Sequence, residues 1–314
     1  MNGKIRVGVV FGGKSGEHEV SINSARSVIE NLDLDKFEVL PVGIDKQGTW
    51  HVGLGAYNAL NAPIPNKLLT DGQAQEDVKN LLPIAQGAVM PSYAMNEIDV
   101  VLPVLHGPNG EDGTVQGLFE LLNIPYVGCS VVASAVGMDK DLMKKVFAQA
   151  GLAQCKYEVV LRSRYERDPD GIVAAVEASL GYPCFVKPAN MGSSVGVTKA
   201  KDRDSLHAAL QLAARYDRKL IVEEAVDGRE IEVAVLGNDE PKASVPGEIV
   251  SGNEEFYDYN AKYTDGSSTM IIPAEMTEEQ AEEVRNMAVR AFKAIDGSGL
   301  SRVDFFLDRK NGQF

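Results

Sequence analysis

The strongest constraint on the fold is the alternation of apolar strand-like segments with amphipathic helical segments. The first apolar run stops at the glycine-rich turn Gly12–Gly16, and the next segment carries apolar residues at helical spacing. Such alternation favours a parallel sheet covered by helices, in which loops after the strand ends bind ligands. The elements predicted in the first part of the chain are strand Ile5–Phe11, helix Ser21–Leu32, strand Glu38–Ile44, strand Asp99–Leu105 and helix Val115–Leu122.

The remaining chain continues the alternation. The predicted strands are Lys156–Leu161, Pro183–Lys187, Val195–Ala200, Lys219–Glu223, Arg229–Leu236 and Leu300–Leu307, and the predicted helices are Lys140–Ala150, Gly171–Leu180, Asp202–Tyr216 and Thr277–Ile295. Residues 53–92 are poorly periodic and are interpreted as an insertion, and Ser251–Ser268 is interpreted as a polar loop. We predict an α/β protein of three parts: an N-terminal parallel α/β domain (1–126), a central unit (127–227) and a C-terminal unit (228–314).

Composition excludes several classes of function. The chain has 314 residues, 44% of them hydrophobic, and a formal net charge of −14, which argues against non-specific binding to nucleic acid or anionic membrane. No apolar run approaches the ~20 residues of a transmembrane helix. The three cysteines lack zinc-like or redox spacing and are expected to be reduced thiols of a cytoplasmic protein. The four histidines are isolated, so a histidine-built metal site is not expected.

Lys187–Gly196 has the composition of a phosphate-binding loop. A lysine ends a predicted strand, and Gly192, Ser193, Ser194 and Gly196 follow. Glycines let backbone N–H groups approach a ligand closely, hydroxyls donate hydrogen bonds, and the lysine supplies positive charge. The alternative is a glycine-rich hairpin with a solvated lysine.

A second glycine-rich stretch, Gly8–Ser15, matches the P-loop pattern G-x-x-x-x-G-K-[ST] literally. In a P-loop the four variable residues form the loop itself. Here Val9, Val10 and Phe11 continue an apolar strand, so we interpret only Gly12–Gly16 as a loop, placed at a strand end.

Four further candidates are polar groups next to predicted strands. Glu17 could bind an ammonium group or merely interact with a helix dipole, and His106–Gly113 could be a ligand loop or a tight turn. Glu223–Val226 could read adenine and Glu230 could hold ribose hydroxyls, or the segment could be a solvated connection. Arg302 and Asp304 alternate on one strand face, either as an ion pair or as an oxyanion-stabilising group beside a Mg²⁺ ligand.

These residues lie in motifs that together resemble the D-alanine–D-alanine ligases of the ATP-grasp superfamily, in the right order and over nearly the whole chain. The matching segments are Phe11–Ser21, His106–Thr114, Met138–Asp141, Lys187–Gly196, Phe256–Tyr263 and Ser301–Asp304. The resemblance implies an N-terminal parallel α/β domain followed by an ATP-grasp fold of two α+β subdomains. It also implies a cytoplasmic enzyme, expected to be a homodimer, that uses ATP with Mg²⁺ (or Mn²⁺) to join two D-alanines for peptidoglycan synthesis.

The resemblance implies roles residue by residue. For the nucleotide, Lys140, Lys187 and Lys262 hold phosphates, the loop with Ser193 and Ser194 closes over them, Glu223, Glu224 and Val226 line the adenine pocket, and Glu230 takes the ribose. For the substrate, Glu17 binds the amino group of the first D-alanine, and His106, Tyr263 and Arg302 are further substrate-binding residues. Glu17 is expected to hydrogen-bond with Ser193 and Tyr263. Arg302 stabilises the tetrahedral oxyanion and Asp304 is a metal ligand.

The resemblance also leaves alternatives. Family members continue past Asp304 into an Asn-Glu-x-Asn-Thr-x-Pro-Gly segment that carries two further metal ligands and a backbone oxyanion donor, whereas this sequence ends at Phe314. An incomplete metal site and very low activity are therefore expected, and a catalytically silent ATP-binding protein is one alternative. A D-alanine–D-lactate ligase is another, against which Tyr263 argues, because phenylalanine is the usual residue there in depsipeptide-forming members.

Overall fold

The computed structural model describes residues 3–69, 98–251 and 268–314. The chain divides into two compact units, residues 1–131 and 132–314. The second unit contains two separate sheets, one built from strands between residues 157 and 224 and the other from strands between residues 228 and 308. The three-part division at residues 126 and 227 stays a prediction.

The first unit is a mostly parallel sheet with helices. Its elements are β1 (Ile5–Gly12), α1 (His18–Asn31), β2 (Phe37–Ile44), β3 (Trp50–Val52), α2 (Gly55–Ala59), α3 (Asn66–Leu69), β4 (Val100–Pro103) and α4 (Thr114–Leu121). The sheet order is β3-β2-β1-β4, with β1 parallel to both β2 and β4, and β3 antiparallel to β2. The carboxyl ends of β1 and β4 therefore lie at the same edge of the sheet.

Strand β1 is buried on both faces. Val9 and Phe11 belong to the core that contains α1, whereas Val10 belongs to the core that contains Phe119 of α4, and all three side chains of β1 are fully buried. This is the pattern of a central parallel strand between two layers. It also rules out a P-loop at Gly8–Ser15, since all four variable residues lie inside the strand.

The second unit begins with paired helices and an antiparallel sheet. These elements are α5 (Val131–Met138), α6 (Lys140–Gln149), β5 (Tyr157–Leu161), α7 (Arg162–Arg167), α8 (Pro169–Ser179), β6 (Cys184–Pro188), β7 (Thr198–Ala200), α9 (Arg203–Ala213) and β8 (Lys219–Glu224). The sheet order is β5-β8-β6-β7. One face packs on the helices through Val186 and Val222, so Glu223, next to Val222, points to the opposite face.

The last sheet is antiparallel and follows directly. Its elements are β9 (Gly228–Gly237), β10 (Lys242–Ala243), β11 (Gly247–Ser251), β12 (Ser268–Ile271), α10 (Glu278–Ala294) and β13 (Gly299–Asp308). The order is β10-β9-β11-β12, and β13 pairs with β9 along its whole length. Helix α10 begins with a capping box in which Thr277 accepts from the Gln280 backbone and the Gln280 side chain accepts from the Thr277 backbone.

The predicted long elements are confirmed to within a few residues, and the differences are local. The strand predicted at Val195–Ala200 begins only at Thr198, because Ser193, Ser194 and Gly196 have positive φ and form a turn. Residues 53–69 of the supposed insertion contain the two short helices α2 and α3. The rest of that stretch to residue 92, and residues 252–267 of the polar loop, lie outside the described residues.

Candidate active site

The two predicted ligand loops of the first unit meet at the edge of its sheet. The Ser15 hydroxyl donates to the His106 carbonyl at 2.7 Å, which ties the loop after β1 to the loop after β4. A Cβ at Gly107 would clash with Glu17 Oε2, so a side chain there would displace the carboxylate. Gly107 has φ +70, so both the contact and the backbone favour glycine there.

Glu17 occupies the N-cap position of α1 but is not its side-chain cap. Its carboxylate makes no capping hydrogen bond, and the residue is only 4% exposed. Because a carboxylate that served only as a dipole partner gains nothing from burial, this placement favours the ammonium-binding interpretation. Ser21 on the same helix fixes the strand ends, since its Oγ accepts from Gly12 N at 2.8 Å and donates to the Val104 carbonyl.

In the second unit, the predicted phosphate lysines lie beside the loop that follows β6. Lys140, the first residue of α6, donates through Nζ to the Met191 carbonyl at 2.6 Å. Burial, reinforced by the charge of Lys187, lowers the pKa of Lys140 to about 8. An anion in this region would restore the charged form, so the lysine is suited to a ligand that brings negative charge.

Glu223 is held between two lysines. Its Oε2 contacts Lys187 Nζ, and its Oε1 lies 2.7 Å from Lys144 Nζ. Burial alone would raise the pKa of Glu223, but the charges of Lys187 and Lys144 outweigh it and hold the pKa at about 2. Sequence reasoning missed Lys144, although its place four residues after Lys140 on a predicted helix puts both lysines on one helix face.

The loop between β6 and β7 is a turn with three left-handed residues. Ser193 (φ 47), Ser194 (φ 60) and Gly196 (φ 72) take left-handed backbone conformations, and within the turn Val195 N donates to the Gly192 carbonyl at 3.0 Å and Val197 N to the Ser194 carbonyl at 3.2 Å. A Cβ at Gly196 would lie 2.7 Å from the Tyr216 ring, so only glycine fits there. The start of the loop is anchored where Asn190 donates to Asp217 Oδ2 through its backbone and its side chain, at 2.8 and 2.9 Å.

The predicted adenine and ribose residues follow Glu223 on β8 and β9. Glu224 and Val226 are half-buried, and Glu224 Oε1 accepts from the Lys156 backbone at 2.7 Å. Glu230 is half-buried on β9 and pairs in register with Phe306. Glu224 ends β8, Val226 lies in the connection to β9 and Glu230 lies on β9, and their nucleotide-binding roles stay predictions.

Arg302 and Asp304 are confirmed on one face of β13. The Arg302 guanidinium donates to both Asp304 oxygens, at 2.7 and 2.8 Å, and lies 3.3 Å from Glu232, which pairs with Asp304 across the strands. Their side chains are more than half exposed. Lys262 and Tyr263 lie outside the described residues, so their predicted roles, including the hydrogen bonds among Glu17, Ser193 and Tyr263, stay predictions.

The carboxylates beside Arg302 fit part of a magnesium site. Oxygen donors are the ligands that Mg²⁺ prefers, and it is usually held by one or two carboxylates together with phosphates and water. Asp304 and its cross-strand neighbour Glu232 supply such donors. Over the described ranges, no group of three or more acidic, histidine or cysteine side chains is arranged to hold a metal. The donor set therefore suits a metal that is completed by phosphate oxygens.

Comparison with known proteins covers both units. The family model described as D-ala D-ala ligase N-terminus matches residues 6–129, and the one described as D-ala D-ala ligase C-terminus matches residues 146–314. The chain belongs to the D-alanine–D-alanine ligase family. Together the two matches cover most of the chain, and the fold class predicted from the sequence, including its ATP-grasp portion, is confirmed.

Individual family members are similar over nearly the whole chain. The D-alanine–D-alanine ligase of Geobacillus thermodenitrificans is 52% identical, with 97% of this chain and 83% of the relative covered. The D-alanine–D-alanine ligase of Bacillus pumilus is 51% identical, with 98% of this chain and 84% of the relative covered. Among solved structures, the VanG D-Ala:D-Ser ligase of Enterococcus faecalis has a TM-score of 0.80 at 39% identity, covering 99% and 88%. The D-alanine–D-alanine ligase of Coxiella burnetii has a TM-score of 0.79 at 34% identity, covering 98% and 82%.

Proposed function

We propose that this protein is an ATP-dependent ligase that joins two D-alanines into D-alanyl-D-alanine for peptidoglycan synthesis. The observation that carries the proposal is the family match over both units. The geometry is consistent with it, because Glu17 is a buried carboxylate of a kind that suits an ammonium group, and Lys140 and Lys187 flank a glycine- and serine-containing loop of a kind that suits phosphate.

The reaction requires activation of a carboxylate. A carboxylate is a poor acylating agent at neutral pH, so its oxygen first attacks the γ-phosphorus of ATP, which releases ADP and forms D-alanyl phosphate. The amine of the second D-alanine then attacks the acyl carbon, the tetrahedral intermediate expels phosphate, and the amine loses a proton as the peptide bond forms. Phosphoryl transfer depends on positioning and charge neutralisation, which lysines supply.

The residues of this chain divide these tasks. We infer that Glu17 binds the ammonium group of the first D-alanine, with His106 in the neighbouring loop. Lys140 and Lys187 neutralise nucleotide phosphates, together with Lys262. Backbone N–H groups and hydroxyls of Ser193 and Ser194 cover the phosphates and exclude water from the acyl phosphate. Arg302 stabilises the oxyanion of the tetrahedral intermediate.

The remaining roles concern the nucleoside and the metal. Glu223, Glu224 and Val226 line the adenine pocket, and Glu230 accepts from the ribose hydroxyls. Asp304 would hold a divalent metal, Mg²⁺ or Mn²⁺, which when bound neutralises phosphate charge. Arg302 donates to both oxygens of Asp304, and each oxygen keeps a further lone pair with which it would bind the metal.

The second substrate has one specific alternative. The VanG structure, which covers 99% of this chain, is named a D-Ala:D-Ser ligase. We propose D-alanine as the second substrate on the evidence of the curated relatives, which are named D-alanine–D-alanine ligases. Product analysis with D-alanine alone, and with added D-serine or D-lactate, distinguishes the three acceptors.

The remaining proposals concern location and partners. No helix in the described ranges has the length and hydropathy needed to cross a membrane. The net charge of −14 supports the proposal that neither nucleic acid nor an anionic membrane surface is a partner. The cytoplasmic location and the homodimer stay proposals, which fractionation and sedimentation would test.

The central experiment measures ADP release with and without D-alanine. We expect release that depends on D-alanine, and Lys187→Ala should weaken ATP binding at least about tenfold, because a charge-assisted phosphate contact contributes about 1.5–3 kcal/mol. Lys293→Ala, which removes an exposed lysine in the last turn of α10, is the matched control and should bind ATP normally. ATP binding without any effect of D-alanine would support a silent nucleotide-binding protein instead.

A further inference from the structure

Lys144 is a buried lysine to which neither the sequence motifs nor the proposed reaction assigns a role. It lies one turn after Lys140 on α6, with a side chain only 9% exposed. Its Nζ is 2.7 Å from Glu223 Oε1 and 5.0 Å from the centre of the Tyr157 ring. Lysines are rarely buried without a partner, and this one has a carboxylate on one side and an aromatic face on the other.

Lys144 contacts a carboxylate that is already paired with Lys187, a predicted phosphate ligand. Lys187 contacts the other oxygen of the same carboxylate, so Glu223 neutralises one of the two positive charges beside it. If Lys187 is to hold nucleotide phosphate, then phosphate and Glu223 compete for one ammonium group. A buried carboxylate that loses its only counter-ion is strongly destabilised, so the outcome depends on what else pairs with Glu223.

We propose that Lys144 is a positioning residue for nucleotide binding: it pairs with the Glu223 oxygen that Lys187 does not contact, and so leaves Lys187 able to bind phosphate. This inference rests on the proposed function, since it takes ATP to be the ligand of Lys187. Lys144 itself does not touch phosphate in this account; it acts through the charge of Glu223.

The contacts around Lys144 indicate that it is a fixed counter-ion of Glu223. The Lys144 carbonyl accepts from Gln154 Nε2 at 2.8 Å, which ties the helix to the segment before β5. Tyr157, beneath the ammonium group, pairs directly with Glu223 across β5 and β8, and Phe185 of β6 pairs with Glu223 from the other side. Lys187 is more exposed, at 22%, and lies on β6, which leads into the loop that contains Ser193, where the phosphates are expected.

The test compares ATP with adenosine, which lacks phosphates. Lys144→Met should weaken ATP binding about ten- to hundredfold, the range that a hydrogen bond to a charged group contributes. It should weaken adenosine binding clearly less, because adenosine contacts Glu223 in the adenine pocket but has no phosphate that needs Lys187. Lys144→Arg, which keeps the charge, should restore most of the ATP affinity. Lys145→Met is the matched control: it is the next residue of α6 and forms an ion pair with Asp141 at 2.8 Å, but it is 60% exposed and does not contact Glu223.

A double variant shows whether Lys144 acts through the charge of Glu223. Glu223→Gln removes the carboxylate that competes for Lys187. In that background, adding Lys144→Met should lower the ATP affinity by clearly less than it does in the wild type. This variant also avoids a buried unpaired charge, so it remains informative if Lys144→Met alone fails to fold. Equal losses for ATP and adenosine, or equal losses in both backgrounds, would overturn the inference and leave Lys144 with a purely structural role.

Failure of the proposed function gives a different result. If the wild-type chain and Lys187→Ala bind ATP equally, then Lys187 is not a phosphate ligand, and the proposed site is wrong before Lys144 is considered. If Lys187→Ala loses ATP affinity and Lys144→Met does not, the site stands and the positioning role of Lys144 falls.

Discussion

The Glu223 carboxylate should make the stability of the protein depend on pH in a defined window. Its pKa is held at about 2, against an ordinary value of 4.5, despite a burial that opposes ionisation. A group whose pKa is lower in the folded state than in the unfolded state stabilises the folded state fully at pH values above the unfolded-state pKa. This stabilisation is lost as the pH falls to the folded-state pKa. The contribution is therefore full above about pH 5 and disappears between pH 4.5 and about 2.

The size of this stabilisation follows from the two pKa values of Glu223. The difference between 4.5 and about 2, at about 1.4 kcal/mol for each pH unit, corresponds to about 3 kcal/mol at neutral pH. The Coulomb energy of the Lys144 contact at 2.7 Å supports this scale, because it amounts to about 6 kcal/mol at an effective dielectric constant of about 20 before the cost of desolvation is subtracted.

The assay is urea unfolding of the wild type and of Glu223→Gln between pH 7 and pH 3.5, followed by circular dichroism. Glutamine keeps the shape and removes the charge, so the difference in unfolding free energy should be about 3 kcal/mol at pH 7 and clearly smaller at pH 3.5. Glu282→Gln, an exposed residue of α10, is the control and should stay within about 0.5 kcal/mol of the wild type. A Glu223→Gln difference that does not shrink with falling pH would refute the reasoning.

The other predictions concern ligands. Glu17→Gln should lower kcat/KM for D-alanine by about 10²-fold if the ammonium pair is desolvated, whereas lower thermal stability with normal kinetics would favour a helix-dipole role. The ATP affinity of the wild type should fall by about tenfold per pH unit above about pH 8, as Lys140 loses its proton, and titration calorimetry of Lys140→Met should show no such fall. Gly196→Ala adds a methyl group 2.7 Å from Tyr216 at a φ of +72, so ATP binding should weaken while D-alanine binding persists; unchanged ATP affinity would show that the turn does not shape the site. Tyr263→Phe should raise the ratio of D-alanyl-D-lactate to dipeptide near pH 6, and an unaltered ratio would remove Tyr263 from this choice.

The sequence alone determined the class of fold and most of the candidate residues. Periodicity is a local property, so the apolar run of β1, the amphipathic helix α1 and the long helix α10 could be predicted to within a few residues. The alternation of Arg302 and Asp304 also followed from strand geometry, and the structure adds that Glu232 joins them. Family motifs supplied the roles, because chemistry of this kind depends on residue types at fixed spacing.

Only the tertiary structure determined which charged side chains form ion pairs with one another. Glu223 and Lys187 are 36 residues apart, and Glu223 and Lys144 are 79 apart, so no local pattern could place one carboxylate between two lysines. The segment around Ser193 was predicted as a loop, but the left-handed conformations of Ser193, Ser194 and Gly196, which delay β7 to Thr198, were not predicted. Burial and long-range pairing set the pKa of Lys140 and Glu223, because desolvation and neighbouring charge exist only when the chain is folded.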